Sequence, residues 1–424
     1  MSAPVSASSP CSGFNIEDIE SHWLVSAIIA WFFDQPQWWM GGLRKCWPIL
    51  RLPFTRFAVV TRFEHVQEVL AREEVFQVTV GPRMRELMDG PLFVLAMQNG
   101  REYRRQRRQI MQAFRLEDVA TNIAPRSAAL AEQILAECGG RIDAIECLLT
   151  RVPTLLCKDY YGVDVPDPKL FAQWTIAMSA YLFGPPFLKL RKKAAAARAA
   201  ANCMRPLLDH SIHKAKDAPD RSSSIVARLV GMQEKERGGP SNDMIRTELF
   251  GMVTGFVPTN TIASGNVLEM LLRRPDFMDE ARKAALADDD ERLWRCLSET
   301  MRFKPINPGL FRTCAMDFTI ADGSFRGKRI RAGTRLLVST QSAMFDERSV
   351  VQPGKFDPDR PNHEYMLFGY GLHWCIGAFL AKAQITQTLK PLLKKCGLRR
   401  APGRDGRMQT IGLMPAHLTV EFDR

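Results

Sequence analysis

The sequence predicts a mainly helical protein with small β-sheets, an α+β chain, and three observations predict it. Residues from Leu116 to about His213 read as a series of helices with breaks near Gly139-Gly140, between Val163 and Pro168, and at Gly184-Pro185-Pro186. A second, longer helical stretch runs from about Asn242 to Arg274. Short runs of β character, Phe318 to Ile320, Lys328 to Ile330 and Arg335 to Ser339, follow it with Gly-containing turns between them.

Length and composition bound the function. The 424 residues show no linker, so one large domain is expected over residues 49–424, with residues 1–48 as an N-terminal extension packed on it. Hydrophobic residues at 46% and charged residues at 25% are ordinary for a globular protein with room for a core and an enclosed ligand. A net charge of +12 favours acidic partners or surfaces, but no nucleic-acid motif accompanies it, so no nucleic acid is expected. Ten scattered cysteines without a CxxC pair indicate neither a zinc ribbon nor a thioredoxin-like site and read as thiols of a cytoplasmic protein. The apolar run Trp23 to Phe33 is stopped by Asp34 and Pro36, short of the roughly 20 residues that a span needs. Acidic residues before it argue against a signal peptide. Packing on the body is the expected role, with peripheral membrane contact through Trp31, Trp38 and Trp39 as the most that is expected of a membrane.

In chain order, Phe57 to Thr61 reads as a strand and Phe63 to Arg72 as a helix. Gly81-Pro82 and Asp89-Gly90-Pro91 punctuate a loop-rich region whose Phe76, Val78, Met84, Leu87, Phe93 and Met97 suit an apolar ligand or a core equally. Asn99 to Phe114 is helical in composition. At about 100° per residue it places Tyr103 and Arg107 on one face, and Arg101, Arg104, Arg105 and Arg108 in a neighbouring stripe. Lys189 to Arg198 is a strong helix former, and Asp217 to Ser224 a polar loop. The Asn242–Arg274 helix carries Pro258 in its middle, which removes a backbone hydrogen bond and frees the carbonyl of Thr254. Glu299 and Arg302 lie three residues apart, on one helical face.

Near the C-terminus comes Phe368-Gly-Tyr-Gly-Leu-His-Trp-Cys-Ile-Gly377, followed by a helix from Ala378 to Lys395. Gly369 and Gly371 permit a tight bend against a flat ligand. Cys375 stands just before a helix N-terminus, where free N–H groups and the dipole favour the thiolate that a soft metal ligand must be.

This loop resembles that of the cytochrome P450 superfamily, whose Phe, spaced glycines, basic residue, Cys and Gly it matches without a gap. Glu299-Thr-Met-Arg302 is similar to the ExxR motif of that superfamily, with Arg360 matching the third member of its network. The resemblance implies the P450 fold, haem b as cofactor and Cys375 as the iron ligand. It also implies Phe368 and Gly377 packed about the sulfur, and haem propionates held by Tyr103, Arg107, Arg312 and His373. Tyr103 stands where the superfamily has a His. On the central helix the superfamily has an acid followed by Thr. One alignment puts Pro258 and Thr259 there, with Asn260 next; the other puts Val257 and Pro258 there. Either way the acid is missing.

The implied activity is oxidation of a small hydrophobic substrate with O2. Electrons would come from a separate ferredoxin- or flavodoxin-like donor docked on a basic proximal face. Alternatives are a peroxide-dependent or hydroperoxide-rearranging haem enzyme and, from another class, a haem-based sensor or ligand-binding protein.

Overall fold

The structure, a computed structural model, describes residues 36–185, 191–235, 238–411 and 414–423. The Trp23 to Phe33 run and Trp31 lie outside the described residues, as does the side chain of Trp38. Helices dominate, and the sequence explains where the main ones start. Asp167 caps the helix Pro168–Leu182 by accepting from the backbone of Lys169 and Leu170. Ser241 caps the helix Asn242–Arg273 by accepting from Met244, and Asp289 caps the helix Asp290–Phe303 by accepting from Arg292. The 32-residue helix Asn242–Arg273 forms the axis of the molecule, packed against Pro168–Leu182, Arg191–Asp217 and the final helix Ala378–Leu393. It continues unbroken through Pro258.

Five strands form the main sheet: β1 (Ile49–Arg51), β2 (Phe57–Val60), β3 (Phe76–Val78), β5 (Leu310–Cys314) and β8 (Arg335–Val338). Their order is β1-β2-β8-β5-β3, with only β2 and β8 parallel. Arg312 therefore lies on an inner strand, opposite Val78 on one side and Leu336 on the other. A hairpin of β6 (Phe318–Ile320) and β7 (Lys328–Ile330) stands beside it. The sequence reading missed β4 (Arg141–Asp143) and the C-terminal β9 (Arg399–Arg400), β10 (Gln409–Ile411), β11 (Met414–His417) and β12 (Thr419–Glu421). These strands are two to four residues long, and β12 pairs with β4 from the far end of the chain, so neither shows a local pattern.

Phe76, Met84 and Leu87 are core, with Phe76 packed edge-on against Phe318. The start of the body is closed by the helix Pro36–Cys46, where Met40 is buried and Arg44 donates to the hydroxyl and carbonyl of Ser342. Eight cysteines are free thiols, whereas Cys203 is disulfide-bonded, which corrects the reading of all ten as thiols. No helix among the described residues is long and apolar enough to cross a membrane.

Candidate haem site

The Cys375 loop is built as its glycines require. Gly369 and Gly371 have φ of +80° and +73°, and a Cβ on Gly371 would lie 2.6 Å from the carbonyl oxygen of Leu70. The Cys375 N–H donates to the Phe368 carbonyl at 3.0 Å, so the loop closes on itself. Phe368 stacks on Trp294, 6.3 Å between ring centroids, which anchors the loop on the helix Asp290–Phe303. Cys375 is accessible, yet burial is the largest influence on its thiol and pushes the pKa above its ordinary value; the Gly377 N–H and then Arg107 pull it down. Both hold because the sulfur opens onto space inside the protein rather than onto the outer surface. Gly377 starts the helix Ala378–Leu393 with ordinary φ of −93°, and its value is proximity: a Cβ there would sit 3.9 Å from the sulfur.

Beside the loop lies a cluster of donors that the protein does not satisfy. Tyr103 is buried in the helix Arg101–Ala113; its hydroxyl donates to the Leu372 carbonyl at 2.9 Å and accepts from Arg107 at 3.3 Å. Its ring meets His373 edge-on at 5.8 Å. Arg312 is 6% exposed and among the described residues donates only to the Phe311 carbonyl; burial lowers its pKa to about 10. The pKa of His373 is lowered to about 4, first by burial and then by Arg312 and Arg107, and its Nε2 is buried without a partner. The buried Arg312 and the half-buried Arg107 thus converge on a neutral His373, and among the described residues no carboxylate hydrogen-bonds either guanidinium. A buried cation without a bonded counter-charge, as Arg312 is, is costly, and an anionic ligand such as a haem propionate removes that cost. Together with a soft sulfur donor, these residues fit haem.

Behind the loop the ExxR pair is fully buried. Glu299 receives Arg302 at 2.7 and 2.9 Å, Arg360 at 3.3 Å, the Asp357 N–H at 3.1 Å and the Tyr365 hydroxyl at 2.8 Å. Arg302 also donates to the carbonyls of Met344, Pro353 and Lys355, and Arg360 to Glu364. The network therefore pins residues 353–365, the segment that feeds Phe368. Tyr365 was missed, because a hydrogen-bond partner more than sixty residues away leaves no local signal; Glu364 was missed although it stands only four residues after its partner Arg360.

The central helix shows one open stripe. From Thr247 to Glu269 every residue is buried except Gly255, Thr259 and Ile262, which recur at four and three residues and so share a face. A side chain built on Gly255 would meet nothing within 4 Å. Thr259 donates its hydroxyl to the Gly255 carbonyl. Pro258 and Asn260 are buried to either side, and Val257 is at 0% exposure. Of the two alignments, only the one with Thr259 as the alcohol puts a hydroxyl on the open face. Thr254, one turn before Pro258, has a buried hydroxyl without a partner beside its freed carbonyl. The ring of Tyr161 lies 5.3 Å from that of Phe256, and its pKa is raised by burial, then by Cys157, Tyr160 and Cys375, which brings this helix and the Cys375 loop to one region.

A helical fold with small sheets, an inward-opening thiol at a helix start and an unbalanced basic cluster beside it defines a haem-thiolate protein. The chain belongs to the cytochrome P450 family, whose model matches residues 44–420, and is a haem b-dependent oxidoreductase of the monooxygenase type. It is 26% identical to the mycinamicin IV hydroxylase/epoxidase of Micromonospora griseorubida, over 84% of this chain and 86% of that one. It is 27% identical to the nocardicin C N-oxygenase of Nocardia uniformis, over 83% and 85%. Among solved structures, the haem domain of the Tepidiphilus thermophilus P450 superposes with a TM-score of 0.77 at 20% identity, covering 92% of this chain and 95% of that one. P450BioI bound to an acyl-loaded carrier protein gives 0.78 at 19% identity, covering 93% and 100%.

Proposed function

We propose that this protein oxidises a small hydrophobic molecule using O2 and electrons from a separate ferredoxin- or flavodoxin-like donor, in the cytoplasm, with residues 49–424 as the oxygenase domain. The relatives named above carry out hydroxylation, epoxidation and N-oxygenation, which supports oxygen insertion as the class of reaction. The observation that carries the reading is the inward-opening Cys375 thiol beside the unbalanced Arg107, Arg312 and His373. Cys375 would ligate iron as the thiolate, favoured by the Gly377 N–H and the start of the following helix. Arg107, Arg312, His373 and Tyr103 would hold the propionates. Bound haem supplies oxygen activation, and a thiolate ligand favours O–O cleavage. Phe368 and Trp294 fix the loop by stacking, and the Glu299 network fixes its approach. On the opposite side, Thr259, together with water at the Thr254 carbonyl and hydroxyl, is the group of this chain placed to handle protons.

For the donor, Arg104 and Arg108 are exposed on the helix that Tyr103 ties to the loop, exposed Met111 and Trp374 lie on the same two elements, and exposed Phe379 lies on the first turn of the helix that follows the loop. A basic rim with an apolar centre suits an acidic redox protein.

A second reading, use of peroxide, rests on the buried Pro258 where an acid would stand: no carboxylate lies on the open stripe. One experiment addresses both. The ferrous carbonyl complex of the wild type should show the red-shifted Soret band of thiolate ligation, and Cys375→His should lose it; retention of the band would remove Cys375 as ligand. Turnover of a lipophilic substrate library with reductase and O2, set beside turnover with peroxide alone, then separates the two readings.

A further inference from the structure

We propose that a cleft at the start of the helix Phe63–Ala71 binds the phosphate group of a small phosphorylated organic molecule, at a site separate from the haem. The cleft is a cavity of about 470 Å³ between that helix and the turn that joins β6 to β7, with a smaller one of about 180 Å³ beside it. Arg62 and Arg348 line both, so the two are parts of one space. A volume of that order holds a small ligand. Its walls include none of the residues assigned above to the haem.

The observation that carries the proposal is Arg62. It is 4% exposed, and its Nε donates to the Arg44 carbonyl at 3.2 Å. Among the described residues nothing else accepts from it and no carboxylate pairs with it, although it lines both cavities. Arginine is almost never buried unpaired, because an uncompensated guanidinium out of water is costly. Two more guanidiniums line the cleft. Arg348 is exposed and makes no ion pair among the described residues, and the half-buried Arg326 donates to the carbonyls of Lys45 and Cys46 at 3.1 and 3.0 Å. Burial is the first cause that lowers the pKa of Arg62; Arg348 and then Arg326 lower it further, while Asp346 and Glu64 oppose them in smaller measure. His65, also on the wall, is 4% exposed, and its Nδ1 is buried without a partner.

Carboxylates are present, but they do not answer these charges. Glu68 accepts from the Ala321 N–H at 2.9 Å, and Asp346 from the backbone of Phe63 and Arg348 at 3.1 and 3.4 Å. Glu64 faces His65 at 3.4 Å with its side chain 66% exposed, and Asp322 and Glu347 are exposed. Among the described residues none of these five forms an ion pair with Arg62, Arg326 or Arg348. Chemistry says which anion fits. A carboxylate offers two oxygens and one charge, which a single guanidinium satisfies, whereas a phosphate monoester offers three oxygens and close to two charges, which suits three. Inorganic phosphate fills only part of the volume, and Phe325, fully exposed at the rim, offers a ring face to an attached planar group. The helix Phe63–Ala71 ends against the Cys375 loop, where a Cβ on Gly371 would meet the Leu70 carbonyl oxygen, so a ligand at its start braces an element on which that loop rests.

The test is calorimetric titration of the full-length, haem-loaded protein with phenyl phosphate, inorganic phosphate and benzoate. Phenyl phosphate should bind with a Kd below about 1 mM, at least about tenfold tighter than either of the others, and should leave the Soret band where it was. Arg348→Glu, at an exposed position, should lower that affinity about tenfold or more without lowering the melting temperature of the free protein. Arg62→Gln should abolish binding and still fold, since it removes an unpaired buried charge. Phe325→Ser should weaken phenyl phosphate and not inorganic phosphate, and Arg104→Glu with Arg108→Glu should change neither. No binding of phenyl phosphate up to about 10 mM, or undiminished binding by the Arg348→Glu variant, overturns the proposal. Benzoate or inorganic phosphate bound as tightly as phenyl phosphate also overturns it. So does a Soret shift that follows the binding, which would place the ligand in the haem pocket.

Discussion

Glu248→Gln should change stability in a pH-dependent way whose sign and size follow from the structure. Glu248 sits on the central helix with 0% exposure, and neither of its carboxylate oxygens has a hydrogen-bond partner. Burial pushes its pKa up to about 8; Arg105 opposes this and Glu102 adds to it in smaller measure. The folded value thus lies above the ordinary 4.5, so the folded state holds this proton more tightly than the unfolded chain does. As pH rises from about 4.5 to about 8 the unfolded chain ionises freely and the folded state does not, so stability falls across that window and levels off above it. A gap of that size corresponds to roughly 5 kcal/mol at full ionisation, as an upper bound. Glutamine has the same shape and no charge. The variant should therefore match the wild type within about 1 kcal/mol near pH 5 and exceed it by several kcal/mol near pH 9. Urea unfolding of the haem-loaded protein at several pH values between 5 and 9 reads the difference. A difference that stays constant with pH would refute the reasoning, because it would mean that Glu248 ionises alike in both states. Turnover should not change. Thr259 lies eleven residues on, within about 20° of the same face but roughly 16 Å along the axis, too far for direct proton transfer.

Other predictions concern the network behind the loop, the basic rim and the central helix. Glu299→Ala leaves Arg302 buried without a carboxylate and Arg360 with Glu364 alone, and should cost about 3–5 kcal/mol, read as a lower melting temperature and loss of haem. An unchanged melting temperature would contradict the burial of the pair. Arg104→Glu with Arg108→Glu should slow reduction by the electron donor and flatten its salt dependence while sparing peroxide-driven turnover; equal loss in both assays would indicate damage to the fold instead. Pro258→Asp, about 60° round the helix from Gly255, should raise the yield of product per electron under reductase and O2 and do little with peroxide, and Val257→Asp, about 160° round from Gly255 and so facing away from the open stripe, should not reproduce that gain.

Legibility in the sequence followed whether a function is carried by neighbours in the chain. The Cys375 loop could be read because a bend, a sulfur donor and a helix start must be contiguous, and Glu299 with Arg302 because three-residue spacing fixes a shared face. Arg312 came only through resemblance: a single arginine in a short strand has no pattern of its own, and its burial follows from pairing with β3 and β8. Tyr365 and Trp294 were invisible for the same reason, since their partners are far away in the chain. Glu248 was legible in principle. The central helix is apolar on nearly every side, and in such a helix any charged residue away from the ends is buried.

The central helix also narrows the choice left open by the missing acid. Pro258 takes away the N–H that would pair with the Thr254 carbonyl, while the Thr259 hydroxyl donates to the Gly255 carbonyl. A hydroxyl that spends its proton on a backbone carbonyl offers only lone pairs to the open stripe, so Thr259 faces the site as an acceptor. To donate, it must release Gly255, or water must stand at Thr254, whose hydroxyl has no other partner. Reduction of O2 requires protons delivered to the oxygen, whereas a peroxide brings an O–O bond already reduced. The arrangement around Pro258 therefore penalises the first route more than the second. A substrate carrying its own hydroxyl near the open stripe would close the gap. Among substrates of equal affinity, those with a hydroxyl near the oxidised carbon should couple electrons to product best, and deleting that hydroxyl should lower coupling under reductase and O2 without slowing peroxide-driven turnover.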